Sequence, residues 1–241
     1  LIGELTSWRL VLFMIGAPGL FLSLLVFTFS EPDRKGSKTS DHPAPPIMPF
    51  LKSEWRLITL LLLGAAAAGV MYATMLAWLP TFMTRKFGWE PPQFGPVLFW
   101  VGVVGAFSVI VKGMIVDWLG KRGMTDAPLR FYSWLIAIAV PATLIAFTTG
   151  NPYISMVGYG VADIVSSAVP MYVAATIQIY FPAEFRGRLN ALQFMTITIL
   201  AAGGGPLLGA MLTREVFQDP AAIGQSLRIV TASAAVISLV C

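Results

Sequence analysis

The strongest constraint on this chain is the length of its uncharged apolar runs. Residues 10–29, 57–84, 91–111 and 189–213 contain no Asp, Glu, Lys or Arg, and residues 131–183 contain a single charge, Asp163. A hydrocarbon core about 30 Å thick is crossed by about 20 apolar helical residues. Each of the first four runs therefore predicts one crossing. Residues 131–183 are too long for one, and Gly150-Asn151-Pro152 divides them, because Gly and Pro punctuate helices and the residue before Pro is pushed away from helix. A last apolar run starts at Ile229 and reaches Cys241, short of a full crossing. The expectation is seven spans with the last incomplete. Barrel strands are about half as long and alternate in polarity, which these runs do not.

Composition points the same way. The chain is 56% hydrophobic and 12% charged, against about a quarter charged in soluble domains. So little charge cannot coat a soluble globule. That excludes an ordinary cytoplasmic enzyme, a nucleic-acid-binding domain and a disordered chain. The net charge of +4 sits between the apolar runs and reads as loop charge of a membrane protein. One cysteine, Cys241, excludes an internal disulfide framework and a cysteine-ligated metal cluster. The fold class expected is all-α, a polytopic membrane protein. The chain opens on Leu1 without a signal-peptide n-region and stops inside an apolar run, so it reads as a fragment of a longer protein.

Basic residues set the orientation. One alternating set of connections holds Arg34, Lys35, Lys38, Lys52, Arg56, Lys121, Arg122, Arg130, Arg186 and Arg188. The other holds Arg9, Arg85, Lys86, Arg214 and Arg228. The richer set is expected in the cytosol, which leaves the turn at residues 149–152 outside. Residues 30–55 form the one long connection, polar and rich in proline, hence a flexible or extended linker between helix bundles. His42 lies in it with no second ligand near in sequence and reads as a solvated loop residue.

A short motif closes the third span: Gly113, Asp117, Gly120, Lys121 and Arg122. Gly113 would let a neighbouring helix approach, Asp117 would pair with basic groups or cap a helix N-terminus, and Gly120 would permit a tight turn. The pattern resembles the cytoplasmic-loop signature of the major facilitator superfamily, G-x-x-x-D-R/K-x-G-R/K-R/K. Trp118 departs from it where a basic residue is usual. Other segments are similar to the same family in the same order. They are Ser7-Trp8-Arg9 with Gly16-Ala17-Pro18-Gly19 and Glu31-Pro32, then Trp78-Leu79-Pro80-Thr81-Phe82. Pro182 with Arg186-Gly187-Arg188 and Ala191-Leu192 comes next, and Gly203-Gly204-Gly205-Pro206-Leu207-Leu208-Gly209 last. The ensemble most resembles spinster-like and organic-anion members. It implies helices six to twelve of twelve: residues 1–29 as the last helix of the N-terminal bundle, 30–55 as the cytosolic linker, and 56–241 as the C-terminal six-helix bundle, its last helix cut short. It further implies secondary active transport by alternating access, with the loop motif and Arg186 gating the conformational change.

The glycines Gly203, Gly204, Gly205 and Gly209 strip side chains from one helix stretch and suit close packing or a hinge, while Pro206 removes a backbone hydrogen bond. Asp163 is the sharpest single residue. It falls about 15 Å into its span at 1.5 Å per residue, near the midplane, where an ionisable group is costly and defaults to function. Ser166, Ser167, Pro170, Ala174 and Gln178 fall on or beside its face at helical spacing. This polar stripe would line a water-filled cavity, with Asp163 in proton or cation coupling or in substrate contact; a structural hydrogen bond to a neighbouring helix is the alternative. Tyr72, Thr74 and Trp78 are further candidates for the cavity wall, as are Asn190 and Gln193 with Ile197, Thr196 and Thr198 nearby. Lys112 is expected to snorkel to the cytosolic interface.

No G-x-x-x-x-G-K-S/T loop is present, so ATP does not drive this chain. Neither H-E-x-x-H nor G-x-S-x-G occurs, and a membrane-embedded enzyme would want more than one deep acid. No cofactor or metal is called for. The partners expected are a small-molecule substrate (an organic anion or lipid-like solute), the bilayer, an H+ or Na+ coupling ion, the other half of the same protein, and no nucleic acid. The short loops suit a bacterial inner membrane. A passive facilitator or a non-transporting sensor on the same fold stays open.

Overall fold

The computed structural model describes residues 7–30 and 45–241. It divides into two units, residues 1–44 and 45–241. Within the first, α1 (Ser7–Leu24) runs through Pro18 and ends in a tight turn of 3-10 helix, Leu25–Thr28. The middle of the linker, His42 included, lies outside the described residues.

The second unit begins with a short helix, α2 (Ile47–Ser53), inside what the sequence reads as linker. Its Phe50 ring stacks on Phe185 at 4.2 Å and meets Phe181 edge-on at 5.9 Å. These aromatic contacts seat α2 on a cluster that includes Ile58, Leu61, Val173, Ile177 and Leu189. Residues 45–55 thus fold with the bundle.

Six spans follow. They are α3 (Trp55–Phe87), α4 (Pro91–Lys121), α5 (Ala127–Thr148), an interrupted span made of α6 (Pro152–Ser166) and α7 (Val169–Tyr180), a second interrupted span made of α8 (Ala183–Ile197) and α9 (Gly205–Met211), and α10 (Ile223–Val240). With α1, seven helical stretches among the described residues are long and apolar enough to cross a membrane, and none of these residues forms a strand. Two turns use glycine in the left-handed region, Gly88 at φ 68° and Gly123 at φ 90°. They mark the two ends of the bundle. The sharp turn after α4 is therefore made by Gly123; Gly120, expected there, is still helical.

The last span corrects the sequence reading. A 3-10 turn at Pro220–Ala222 leads into α10, and together they run Pro220–Val240, 21 residues. The span is long enough to cross. Arg228 lies within it, and treating that charge as a boundary shortened the run.

The α5–α6 seam is tightly packed. A Cβ on Gly158 would lie 2.8 Å from Ala146 N and 2.9 Å from Ala142 O. Beside it Ser155 Oγ donates to Ala146 O at 2.6 Å. In lipid, small residues let helices gain van der Waals contact that longer side chains would prevent. α10 packs on α3 and α5 through Leu227, Ala234 and Ala235, all buried. α4 and the α8–α9 span are the least buried of the six, with 11% and 17% of their 18-residue apolar stretches enclosed.

Candidate functional site

The α6–α7 span breaks at Ser167 and Ala168, two residues ahead of Pro170. Proline has no N–H and its ring crowds the preceding turn. The α8–α9 span loosens into a π-helical segment, Thr198–Gly204, ahead of Pro206. Here the chain absorbs the missing donor by shifting to i→i+5 bonding. The two interruptions are neighbours: Gln193 Nε2, from α8, donates to Pro170 O at 2.9 Å.

A cavity of about 220 Å³ lies between them and α3. Its wall includes Gly69 and Tyr72 of α3, Ser166, Ser167 and Pro170 at the first break, and Thr198 at the second. Irregular backbone at membrane depth is tolerated where it lines a cavity or is buried in protein, and this cavity meets that condition. The wall is mainly apolar, with the hydroxyl-bearing Tyr72, Ser166, Ser167 and Thr198 as its polar residues.

Beside the cavity sits a buried pair of opposite charges. Asp163 is 9% exposed and Lys112 6% exposed. Tyr159 OH donates to Asp163 Oδ1 at 3.4 Å. The other carboxylate oxygen faces α4, where a Cβ on Gly105 would lie 3.9 Å from Oδ2. Lys112 Nζ donates to Ile164 O and, at 3.2 Å, to Ser167 Oγ. It thereby caps the C-terminal end of α6, where the break leaves carbonyls without helical partners and the helix dipole favours a cation. Lys112 and Asp163 thus carry opposite charges across the α4–α6 seam, with no direct ion pair between them. Lys112 does not snorkel, contrary to expectation: α6 ends against the middle of α4 and offers its ammonium nearer partners than the interface.

The remaining candidates divide. Tyr72, Ser166 and Ser167 share the cavity wall, whereas Asp163 is turned from it toward α4. Ser166 Oγ is already engaged with Ala162 O at 2.6 Å. Gln178 is exposed on α7, because the stripe that starts at Asp163 loses its phase across the break. Gln193 is fully buried with its Oε1 unpartnered, and half-buried Asn190 has an unpartnered Oδ1. The glycine run acts in two parts. Gly205 and Gly209 lie against α3, where a Cβ would come within 3.0 Å of Thr74 Oγ1 and of Trp78 Nε1 respectively. Gly203 and Gly204 have nothing within 4 Å. Trp78 Nε1 donates to Pro206 O at 2.9 Å, so Trp78 is a packing residue of this seam.

At the Gly123 end the loop motif is open. Gly113 and Gly120 have nothing within 4 Å, and Gly113 and Asp117 edge a groove beside Tyr172. Lys121 is exposed, while the Arg122 guanidinium lies 3.7 Å above the Trp118 ring. Arg186 Nε donates to Phe181 O at 2.8 Å and holds the turn between α7 and α8.

Tyr159 and Gly105 were missed by the sequence reading, and Lys112 was placed at the interface. A signal for Gly105 and Lys112 exists. The buried residues Gly105, Lys112 and Leu119 recur every seven positions on α4, the mark of one face packed on a neighbouring helix.

Known proteins resemble the chain in both sequence and fold. The family model of the Major Facilitator Superfamily matches residues 1–206. Two uncharacterized MFS-type transporters from Mycobacterium tuberculosis, of strains CDC 1551 / Oshkosh and ATCC 25618 / H37Rv, are each 27% identical over 195 residues, covering 78% of this chain and 40% of their own length. Crystal structures of a bacterial homolog to the human lysosomal transporter Spinster share the fold. Its inward-facing, unoccupied form superposes with TM-score 0.64 at 16% identity and its occupied form with 0.60 at 19%. Either superposition covers 98% of this chain, and 57% or 56% of the neighbour. The chain thus spans about half the length of the curated relatives it matches.

Proposed function

We propose that this chain, which belongs to the major facilitator superfamily of membrane transporters, forms one bundle of a secondary active transporter. It would move a small amphipathic organic solute, an organic anion or lipid-like molecule, by alternating access, with Asp163 serving proton or cation coupling. The observation that carries the reading is the cavity between two interrupted helices beside a buried carboxylate and ammonium. Transporter sites lie near the midplane at such helix breaks, between two bundles that rock around them.

The cavity's size supports a shared site. At about 220 Å³ it falls below the roughly 300–1,000 Å³ of pockets for small organic ligands. A second bundle, supplied by the rest of the protein, would complete it, docking on the little-buried faces of α4 and the α8–α9 span. Because Asp163 faces α4 rather than the cavity, coupling fits it better than direct substrate contact. Tyr72, Ser166 and Ser167 are then the solute contacts, and the 113–122 segment with Arg186 the gate on the cytosolic side.

The test is uptake into vesicles carrying the complete reading frame, with amphipathic organic acids as solutes and with imposed proton or sodium gradients. Gradient-driven accumulation that Asp163→Asn abolishes at normal expression is the expected result. Accumulation with unchanged gradient dependence in Asp163→Asn would overturn the coupling role, and uptake that only equilibrates would mark a passive facilitator.

A further inference from the structure

A second cavity, this one polar and of about 200 Å³, lies at the Gly88 end between α3, α5 and α10. Lys86, Phe147, Thr148, Gly224, Gln225 and Arg228 wall it. Two of these carry positive charge and none is acidic. Lys86 Nζ stands 3.4 Å from Phe147 O and 3.5 Å from Thr148 O, over the rings of Phe82 and Phe87. Its charge is therefore held at the carbonyl end of α5. Arg228 comes in from α10, half-buried, and its charge opposes that of Lys86. Its Nε is wholly buried without a hydrogen-bond partner. Among the described residues, no carboxylate reaches it within ion-pair distance.

The arrangement is costly as it stands. A partly desolvated cation with no counter-charge is disfavoured, and a second cation beside it adds repulsion. Helix drift offers no escape. A Cβ on Gly224 would lie 3.0 Å from Phe82 Cε2 and 3.2 Å from Phe147 O, so α10 is pressed against both neighbours at this level. An anion in the cavity would remove the cost.

We propose that this cavity binds a phosphate group, held by the Arg228 guanidinium and the Lys86 ammonium. The planar guanidinium presents paired N–H groups that match phosphate oxygens, and an ammonium adds a compact charge. Lys86 lies one residue from the end of α3, at the level where phospholipid head groups meet a spanning helix. On the orientation set by the basic residues, Lys86 and Arg228 fall on the outer side, so the head group concerned belongs to the outer leaflet. The same chemistry would hold free phosphate.

Thermal unfolding of the full-length protein in dodecyl maltoside tests the site. Inorganic phosphate, a short-chain phosphatidylglycerol, and chloride at matched ionic strength are titrated separately. A ligand that binds only the folded form raises Tm with its concentration. The expected result is a saturable rise with a phosphate-bearing ligand and none with chloride. A rise with inorganic phosphate supports a site for a dissolved oxyanion; a rise confined to the phospholipid supports a head-group site. Arg228→Gln should weaken the response at least about tenfold, the loss of a charged hydrogen-bonding partner, and Arg228→Lys should leave an intermediate response. Without ligand, Arg228→Gln should be no less stable than the parent, since it removes an unpaired charge. An equal rise with chloride, an undiminished response in Arg228→Gln, or a marked fall in that variant's ligand-free Tm would overturn the proposal. The last result would mean that a carboxylate already pairs with Arg228.

Discussion

Adding one methyl group at Gly158 tests the packing that aims Asp163. Gly158 and Asp163 share α6, and the α5-facing side of that helix, with Ser155, Gly158 and Ala162, sets its position and rotation. A Cβ at 158 would stand 2.8 Å from Ala146 N, 2.9 Å from Ala142 O and 3.1 Å from Ala146 Cα, while ordinary contact begins at 3.4 Å. All three neighbours are backbone, so no side chain can swing away. The helices must part by about half an ångström, stretching the Ser155–Ala146 bond. Overpacking of this kind costs about 1–3 kcal/mol, a strained hydrogen bond about 1 more, and the better helix propensity of alanine returns about 1. The net is about 1–3 kcal/mol, or a Tm lower by roughly 2–12 °C on the scale of about 2–4 °C per kcal/mol for chains of this size. Gly187→Ala is the matched control, because it makes the same chemical change inside α8 with nothing within 4 Å. Thermal unfolding in detergent, followed by tryptophan fluorescence, should show Gly158→Ala falling and Gly187→Ala unchanged or slightly raised. If Gly158→Ala matched the control, α5 and α6 would not meet at this point, and the placement of Asp163 would lose its foundation.

Two other perturbations probe the bundle. Lys112→Met and Asp163→Asn should be strongly non-additive in stability, with a coupling of at least about 1 kcal/mol, since each single change leaves a buried charge uncompensated; additivity within about 0.3 kcal/mol would place the two groups in separate environments. Phe50→Ala removes a stacked and an edge-on ring partner from the α2 seat and should cost about 2 kcal/mol, read as a Tm lower by roughly 4–8 °C, whereas an unchanged Tm would mean that α2 does not rest on the bundle.

Part of the candidate site was visible in the residues. Asp163 stands out because a lone acid in a long apolar run is costly in a bilayer and must find a partner or a task there. Tyr72, Ser166 and Ser167 were marked by polarity and spacing, and Pro170 and Pro206 forewarn of irregular backbone. Lys112 was misread for a physical reason: a long cationic side chain near a helix end serves equally well as a snorkel or as a buried cap. What decides is whether another element offers closer partners, here the carbonyl of Ile164 and the hydroxyl of Ser167. Gln178 failed for the opposite reason, because a periodicity drawn through Pro170 presumes an unbroken helix.

Sequence alone determined the class of the molecule and the number of its crossings. In hydrocarbon every backbone N–H and C=O must be satisfied within its own segment, so a sufficient apolar run becomes a helix whatever surrounds it. Its ends are less secure, and α10 begins ahead of Arg228 because charge tolerance depends on what faces the charge. Tertiary structure alone decided which glycines are contacts and which are open. Gly205 and Gly209 meet α3 while Gly203 and Gly204 do not, a matter of helix rotation that residue type cannot express. It also brought Lys112 to the end of α6 and Arg228 to Lys86. Those pairs join residues far apart in the chain, and only the packing of one span against another brings them together.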